Sequence, residues 1–471
     1  MEQKVASKNT IDILINNIEK TIVESENILH NVEQIKSNLY NKDSDINFLQ
    51  LLFELLSGSL SGIYEVCHSL KNMLLTDNIY IKRYHMQMIN LSQYEWCKYL
   101  AGKDKDGILF KLKNYLNKNN YSCFELENIL TKTRQLGENC NINLRNITAH
   151  YDKPYKMYLV LVNLNDENIY ALRINVQLLI HEMILKYASL ILRDIQIFSY
   201  NKNKEVECNK KEKSFDIIDA LNNEISKAFD NKADFYITVT AQLLNAWNDI
   251  EMQRRKFFAC DKIIKYFKLN RIDCKVIKDT QAVVEMYWCV SFMKYDLMCS
   301  INSYLNASSN IERSICFMRA FRITTSALFH LYGYDEQKRK NSIWNKIKLI
   351  PEFDLNESVF KIENKFESLI SNFDYNKRNL YTHYREGEKL NITDRWQSFK
   401  DMDHTQELIL ILEFITLCKS VNQFLVSLVL QMDFNEKLGN NKILENYNRK
   451  NSSFLDMSKQ IANFANENDT E

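Results

Sequence analysis

Glycine and proline are almost missing: 8 and 2 residues in a chain of 471, against roughly 33 and 24 at average usage. Tight turns, β-meanders and phosphate-cradling loops depend on residues that reach positive φ or hold φ at about −65°. A chain this poor in both is restricted to long helices joined by polar loops, so the expected fold class is all-α. Neither G-x-G-x-x-G nor G-x-x-x-x-G-K-[ST] occurs, which argues against the dinucleotide-binding and P-loop classes of enzyme.

The length is too great for one helical core and predicts two or more domains. With 45% hydrophobic and 12% aromatic residues a true core can form, and global disorder is excluded. Lys plus Arg number 61 and Asp plus Glu 60, a net charge of +1, so the broad basic field that drives nonspecific DNA coating is missing. Eleven cysteines are scattered without a C-x-x-C pair, and no Cys/His cluster shows zinc-ligand spacing, so no metal or other cofactor is expected. Cys97, Cys289, Cys299, Cys316 and Cys418 fall in apolar helical stretches, where a free thiol acts as a small core hydrophobe. The opening MEQKVASKNTIDILINN lacks the basic-then-apolar run of a secretory signal. No run of about 18 uninterrupted apolar residues exists. The sequence therefore predicts no membrane span and a reduced, cytoplasmic protein.

Apolar spacing close to 3.6 residues marks the helices. Two are expected over residues 10–75, broken around Asn41 to Asp45, and others over about 78–100, 108–118, 123–139 and 170–198. The charged stretch 201–213 (NKNKEVECNKKEK) is the best linker. Helices resume over about 215–228, 233–268, 278–305 and 309–333, pause at a polar break from Asp335 to Asn341, and continue over about 343–350, 357–372 and 405–431. Residues 435–471 read as a polar tail. This divides the chain into an N-terminal helical domain, 1–200 with its core at about 76–198, and a C-terminal one, 214–434 with its core at about 308–432.

The two parts can be laid over each other. The segment ending in Tyr99-Leu100-Ala101-Gly102 matches the one ending in Phe329-His330-Leu331-Tyr332-Gly333, an offset of 231 between the glycines. Farther on, Leu144-Arg145-Asn146-Ile147-Thr148-Ala149-His150-Tyr151 matches Lys377-Arg378-Asn379-Leu380-Tyr381-Thr382-His383-Tyr384 at an offset of 233. In each copy a polar loop and a long apolar helix are expected to follow. The pattern is that of a diverged tandem duplication.

With 8 His and 16 Arg in the chain, chance supplies about 0.3 matches to R-x4-H. Two copies of R-N-x-x-x-H-Y at the same place in a repeat therefore carry weight. In an ideal helix Asn146 and His150 share a face, as do Asn379 and His383, so the amide can orient the imidazole or cap the helix. Arg and His, five apart, diverge by about 140°. They converge on one ligand if the helix begins within the motif or if two copies face each other. A duplicated motif favours the second arrangement, with Arg145, His150, Arg378 and His383 in one cleft. Imidazole titrates near neutrality and can take the 2′-hydroxyl proton or protonate the leaving 5′-oxygen. Guanidinium forks onto phosphate oxygens and stabilises charge developing in the transition state. The substrate's own 2′-hydroxyl is the nucleophile, which makes the chemistry RNA-specific and independent of metal.

At these residues the chain resembles the HEPN superfamily, whose signature is R-x(4–6)-H, often with Asn directly after Arg. The resemblance covers the motif and the helical layout, about 120 residues in each part. It implies two tandem helical-bundle domains arranged as an intramolecular pseudo-dimer, with the motif ahead of the final long helix of each. It further implies a metal-independent endoribonuclease of the toxin–antitoxin, abortive-infection or CRISPR kind. Arg145, His150, Arg378 and His383 would be catalytic, with Asn146, Tyr151, Asn379 and Tyr384 in support. The implied partners are an RNA substrate and an inhibitory antitoxin or an activating protein, and a homodimer is compatible with it. In some HEPN toxins a Tyr two residues after the motif His is nucleotidylated. Here Asp152 and Arg385 occupy that position, so this regulation is not expected.

His30, His68, His85, His181, His330 and His404 have no matched partner and read as core or surface residues. The apolar stripes at 170–198 and 405–431 read as core, edged by Glu182, Lys186, Glu413 and Lys419. The basic runs Arg254-Arg255-Lys256, 262–268 and Lys338-Arg339-Lys340 read first as solvated helix faces and second as guides for RNA phosphates. Asp335 and Glu336 are expected in a loop. The competing reading is a non-catalytic helical interaction module that binds RNA or a partner protein, in which the four motif side chains share no cleft.

Overall fold

The computed structural model describes residues 43–102, 106–118, 123–140, 154–196, 235–269, 275–307, 310–334, 336–351, 357–374 and 405–432, with single positions elsewhere. Thirteen helices are found there: α1 (Asp43–Leu75), α2 (Ile79–Ala101), α3 (Ile108–Lys118), α4 (Phe124–Glu138), α5 (Pro154–Val162), α6 (Glu167–Gln196), α7 (Phe235–Leu269), α8 (Lys275–Leu305), α9 (Asn310–Leu331), α10 (Glu336–Lys340), α11 (Ile343–Ile347), α12 (Glu357–Asn372) and α13 (Thr405–Gln431). No strand occurs among the described residues, and the protein is all-α. The expected helix over 215–228, the 201–213 linker and the 435–471 tail lie outside the described residues.

Local chemistry explains where the helices stop and start. The Asn78 side-chain oxygen accepts from the Tyr80 and Ile81 amides and caps α2. Ser342 caps α11 through the Asn345 amide at 3.2 Å. Helices α2 and α9 both run into a glycine of positive φ, Gly102 at 69° and Gly333 at 84°, the conformation that closes a helix and that other residues adopt at a cost. A Cβ on Gly102 would lie 2.4 Å from the Gly107 amide, and one on Gly333 would lie 2.5 Å from the Arg339 amide. The two glycines thus do the same job, letting the chain fold back closely against the next element.

Most helix pairings of the N-terminal part recur in the C-terminal part, although among the described residues α7 on α8 is found in the C-terminal part alone. In the N-terminal part α1 packs on α2, α3 and α6, while α2 also meets α3, α4 and α6, and α4 meets α6. In the C-terminal part α8 packs on α9, α11 and α13, while α9 also meets α11, α12 and α13, and α12 meets α13. One contiguous apolar core runs through both, from Leu49 and Leu52 through Trp96, Trp288 and Phe317 to Leu425.

Three expectations are corrected. The polar loop expected after the first motif contains α5, because Pro154 is preorganised for the first helical turn and PYKMYLVLV then supplies an apolar face. The polar break at 335–341 contains α10, so Glu336 begins a helix instead of lying in a loop. Helix α6 is not wholly core. It buries Ile174, Leu178, Ile184 and Leu185, yet Ile169, Leu172 and Leu179 are 52%, 66% and 60% exposed. Helix α13 contains a stretch, Glu407–Val429, long and apolar enough by composition to cross a membrane. Here Ile411, Phe414, Val421, Leu425 and Leu428 of that stretch are buried in the protein core.

Candidate active site

Arg145, Asn146, His150, Tyr151, Arg378, Asn379, His383 and Tyr384 all lie outside the described residues, so their mutual geometry is not on view. Their frame is. The first motif is bracketed by Cys140, two residues past the end of α4, and by Pro154 at the start of α5. The second is bracketed by Asp374, just past α12, and by Thr405 at the start of α13. Two described positions fall within or beside it. Lys377 pairs with Glu407 in the first turn of α13, which ties the entry of the motif to the helix that follows. Tyr381 is buried and meets the rings of Phe317 and Phe321 edge-on, at 6.1 and 5.2 Å. The second motif is therefore anchored on α9.

Helix α9 also lies at the junction between the two parts, and that junction is polar. The Arg319 guanidinium on α9 donates to the Glu65 carbonyl of α1 at 2.8 Å. The Cys316 sulfur lies 2.9 Å from His68 Nε2, and the Ser303 hydroxyl lies 3.2 Å from His85 Nε2. Lys71 pairs with Glu312 at 2.8 Å. A neighbouring aromatic group continues the junction: Tyr80 packs on Trp247 at 4.6 Å, and the Tyr158 hydroxyl donates to Glu251 at 2.7 Å.

Burial first, then the Arg319 charge, holds His68 and His85 well below the usual imidazole range. Both rings are neutral and enclosed, as is His181, pushed down to about 3 by burial. His30 is on the surface. These four are core or surface residues, as expected. The three enclosed rings, His68, His85 and His181, lack the exposure that proton transfer to a substrate requires.

The basic runs divide. Lys262, Lys265 and Lys268 are exposed along a face whose opposite side carries Ile263, Ile264 and Phe267 in the core, so that run is a solvated helix face. Arg254 instead pairs with Glu251 at 3.1 Å and lies over the Tyr158 ring, and Lys256 is buried. Arg339 pairs with Glu367 and lies over the Tyr332 ring. These cations are engaged in packing and offer no continuous track for phosphates.

One reactive arrangement has no signature in local spacing. Arg173 of α6 donates to the Cys140 sulfur at 2.9 Å and to the Asn90 side chain at 3.2 Å. Cys97 of α2 is hydrogen-bonded to Cys140 as well. Among the described residues no group of three or more His, Cys, Asp or Glu side chains is disposed to hold a metal ion. No protein-family model, curated protein or solved structure matches the chain.

Proposed function

We propose that the chain is a metal-independent endoribonuclease with a composite site drawn from two HEPN-like helical domains, acting as a toxin or anti-phage effector. One observation carries the reading: R-N-x-x-x-H-Y occurs twice, each time after a helix that packs on the long apolar helix farther on. The first copy falls between α4 and α5, ahead of α6, the second between α12 and α13, and α4 meets α6 as α12 meets α13. The matched glycines that end α2 and α9 support the same duplication. In this mechanism one histidine, His150 or His383, takes the 2′-hydroxyl proton. The 2′-oxygen attacks phosphorus, and the other histidine protonates the departing 5′-oxygen. Arg145 and Arg378 stabilise the charge on the non-bridging oxygens, and Asn146 and Asn379 position the imidazoles. Tyr151 and Tyr384 serve as stacking or packing residues. The products are a 2′,3′-cyclic phosphate and a 5′-hydroxyl.

The test is cleavage of mixed cellular RNA by the purified protein in EDTA, with product ends analysed. Wild type cuts and leaves 2′,3′-cyclic phosphate, while His150→Ala and His383→Ala each abolish cutting. Cutting by both variants at the wild-type rate refutes the reading.

A second reading, a non-catalytic interaction module, is favoured by the outer face of α6. Ile169, Leu172, Val176 and Leu179 are exposed there at alternating spacings of three and four residues, the pattern of a helix that lies against another helix. Under this reading wild type does not cut RNA, and its expression is no more toxic than that of His150→Ala.

A further inference from the structure

Nine cysteines are described; all are buried, and no disulfide joins any of them. Eight behave as core residues. Burial pushes the thiols of Cys260, Cys316 and Cys418 up to about 12, and those of Cys67, Cys97, Cys123 and Cys299 also shift upward. Cys140 differs. The hydrogen bond from Cys97 and then the Arg173 guanidinium hold its thiol below the ordinary value, against the opposing effect of burial. When protonated, the thiol points at the Leu136 carbonyl, 3.5 Å away. Two donors against that single acceptor favour the thiolate. Arg173 has an amide oxygen and this sulfur as its acceptors, and no carboxylate pairs with it among the described residues. A half-buried guanidinium so placed is stabilised by an anionic sulfur.

The geometry also brings the second sulfur close. Helices α2 and α4 approach until a Cβ on Gly137 would lie 3.0 Å from the Cys97 Cβ, and Cys140 follows at the end of that same turn, its amide bonded to the Gly137 carbonyl at 3.1 Å. Cys97 is 4% and Cys140 7% exposed, so both residues are buried but keep a small solvent-accessible area.

We propose that Cys140 is a peroxide-reactive cysteine, activated by Arg173 and resolved by Cys97 as an intramolecular disulfide. The Cys140 thiolate attacks one oxygen of hydrogen peroxide, the O–O bond breaks, and the departing hydroxide takes a proton to become water. The sulfur is then a sulfenic acid, oxidised by the two electrons that the peroxide gained. The Cys97 sulfur attacks it, the S–S bond forms as the S–O bond breaks, and the hydroxide leaves with the Cys97 proton as a second water. Cys140 precedes Arg145 by five residues, so the disulfide fastens to α2 the turn that leads into the first motif. The thiol chemistry is independent of the proposed nuclease activity and is read separately from it.

The full-length protein is treated with hydrogen peroxide at pH 7 and followed by intact mass and by peptide mapping without reductant. The expected product has lost two hydrogen atoms and contains a Cys97–Cys140 peptide that dithiothreitol separates. Cys97→Ser stops at the sulfenic acid, which dimedone labels at Cys140, whereas Cys140→Ser gives no label at Cys97. Arg173→Gln slows the reaction several-fold, because it removes the guanidinium charge and hydrogen bond that favour the Cys140 thiolate. Arg173→Lys restores most of the rate. The proposal is overturned if the cross-links join other cysteines as readily, or if Arg173→Gln reacts at the wild-type rate. Should Arg173→Gln lower the melting temperature, dimedone labelling of Cys97→Ser decides: a label at Cys140 no stronger than at the other cysteines also overturns it.

Discussion

His181 is fully buried on α6, with its Nδ1 atom 2.7 Å from the Ser59 hydroxyl of α1. Burial lowers its pKa from 6.5 to about 3. The unfolded chain therefore binds a proton at a higher pH than the folded chain does. Between those two values the unfolded state holds more protons, so stability rises with pH and is lost as pH falls through the window. Above about pH 6.5 the ring is neutral in both states and the histidine imposes no acid penalty. At pH 5 the linkage costs about 2 kcal/mol, approaching about 5 kcal/mol below pH 3. The assay is urea unfolding of wild type and His181→Asn at pH 7.5 and pH 5.0. The substitution costs stability at pH 7.5 by removing a packed ring, but it also removes the acid penalty. The wild-type advantage should therefore shrink by about 2 kcal/mol between the two pH values. An advantage that stays constant with pH would refute the assignment of a neutral, enclosed ring. His68 and His85 titrate in the same direction for the same reason, so wild type should show a steeper acid loss than His181 alone produces.

Two substitutions on α6 test its divided face. Leu172→Gln, on the exposed side, should change stability by less than about 0.5 kcal/mol, whereas Leu178→Ala, on the buried side, should cost about 2–5 kcal/mol in the same chemical denaturation series. Equal effects would mean the face is covered in solution. Helix α1 makes a second test, because a Cβ on Gly62 would lie 2.0 Å from Trp96 Cδ1. Gly62→Ala gains helix propensity of about 1 kcal/mol yet should still destabilise by about 1–3 kcal/mol through overpacking, read as a lower melting temperature.

Much of the helical layout was legible because it rests on local rules. With so few residues able to turn the chain sharply, apolar periodicity marked the long helices, and the ranges 357–372 and 405–431 coincide with α12 and α13. Short elements were not legible. Helix α5 has nine residues and α10 has five, too few turns for a 3.6-residue period to stand out from a loop. The exposed half of α6 escaped for a different reason: an apolar residue shows that burial is available, and only tertiary packing decides which face receives it. The motif pair was legible as a repeated string, but its eight side chains fall outside the described residues and their convergence remains a proposal. The Cys97, Cys140 and Arg173 arrangement was invisible, since its members come from three elements 33 and 43 residues apart. No linear spacing encodes such a meeting.

The junction between the two parts sets a polar cluster within the apolar core that runs through both. That core is built of Leu, Ile and aromatic side chains, whereas the cluster at the junction buries Arg319, His68, His85 and Ser303. Burying a guanidinium is costly, and a hydrophobic residue of similar volume is often neutral or more stable by about 1–4 kcal/mol. Arg319 is therefore better understood as fixing how α9 sits on α1 than as holding the two together. Substitution separates these roles. Arg319→Ala removes the packed stem as well as the charge and should cost about 2–4 kcal/mol by leaving a cavity. Arg319→Met keeps the volume and should be near neutral at pH 7.5. Because the Arg319 charge is the second cause lowering both His68 and His85, the Met variant should also lose less stability on acidification than wild type, in the same urea series at pH 7.5 and 5.0. If Met proves as damaging as Ala, the cation itself holds α9 to α1 through the Glu65 carbonyl, and the junction is a source of stability instead of a device for register.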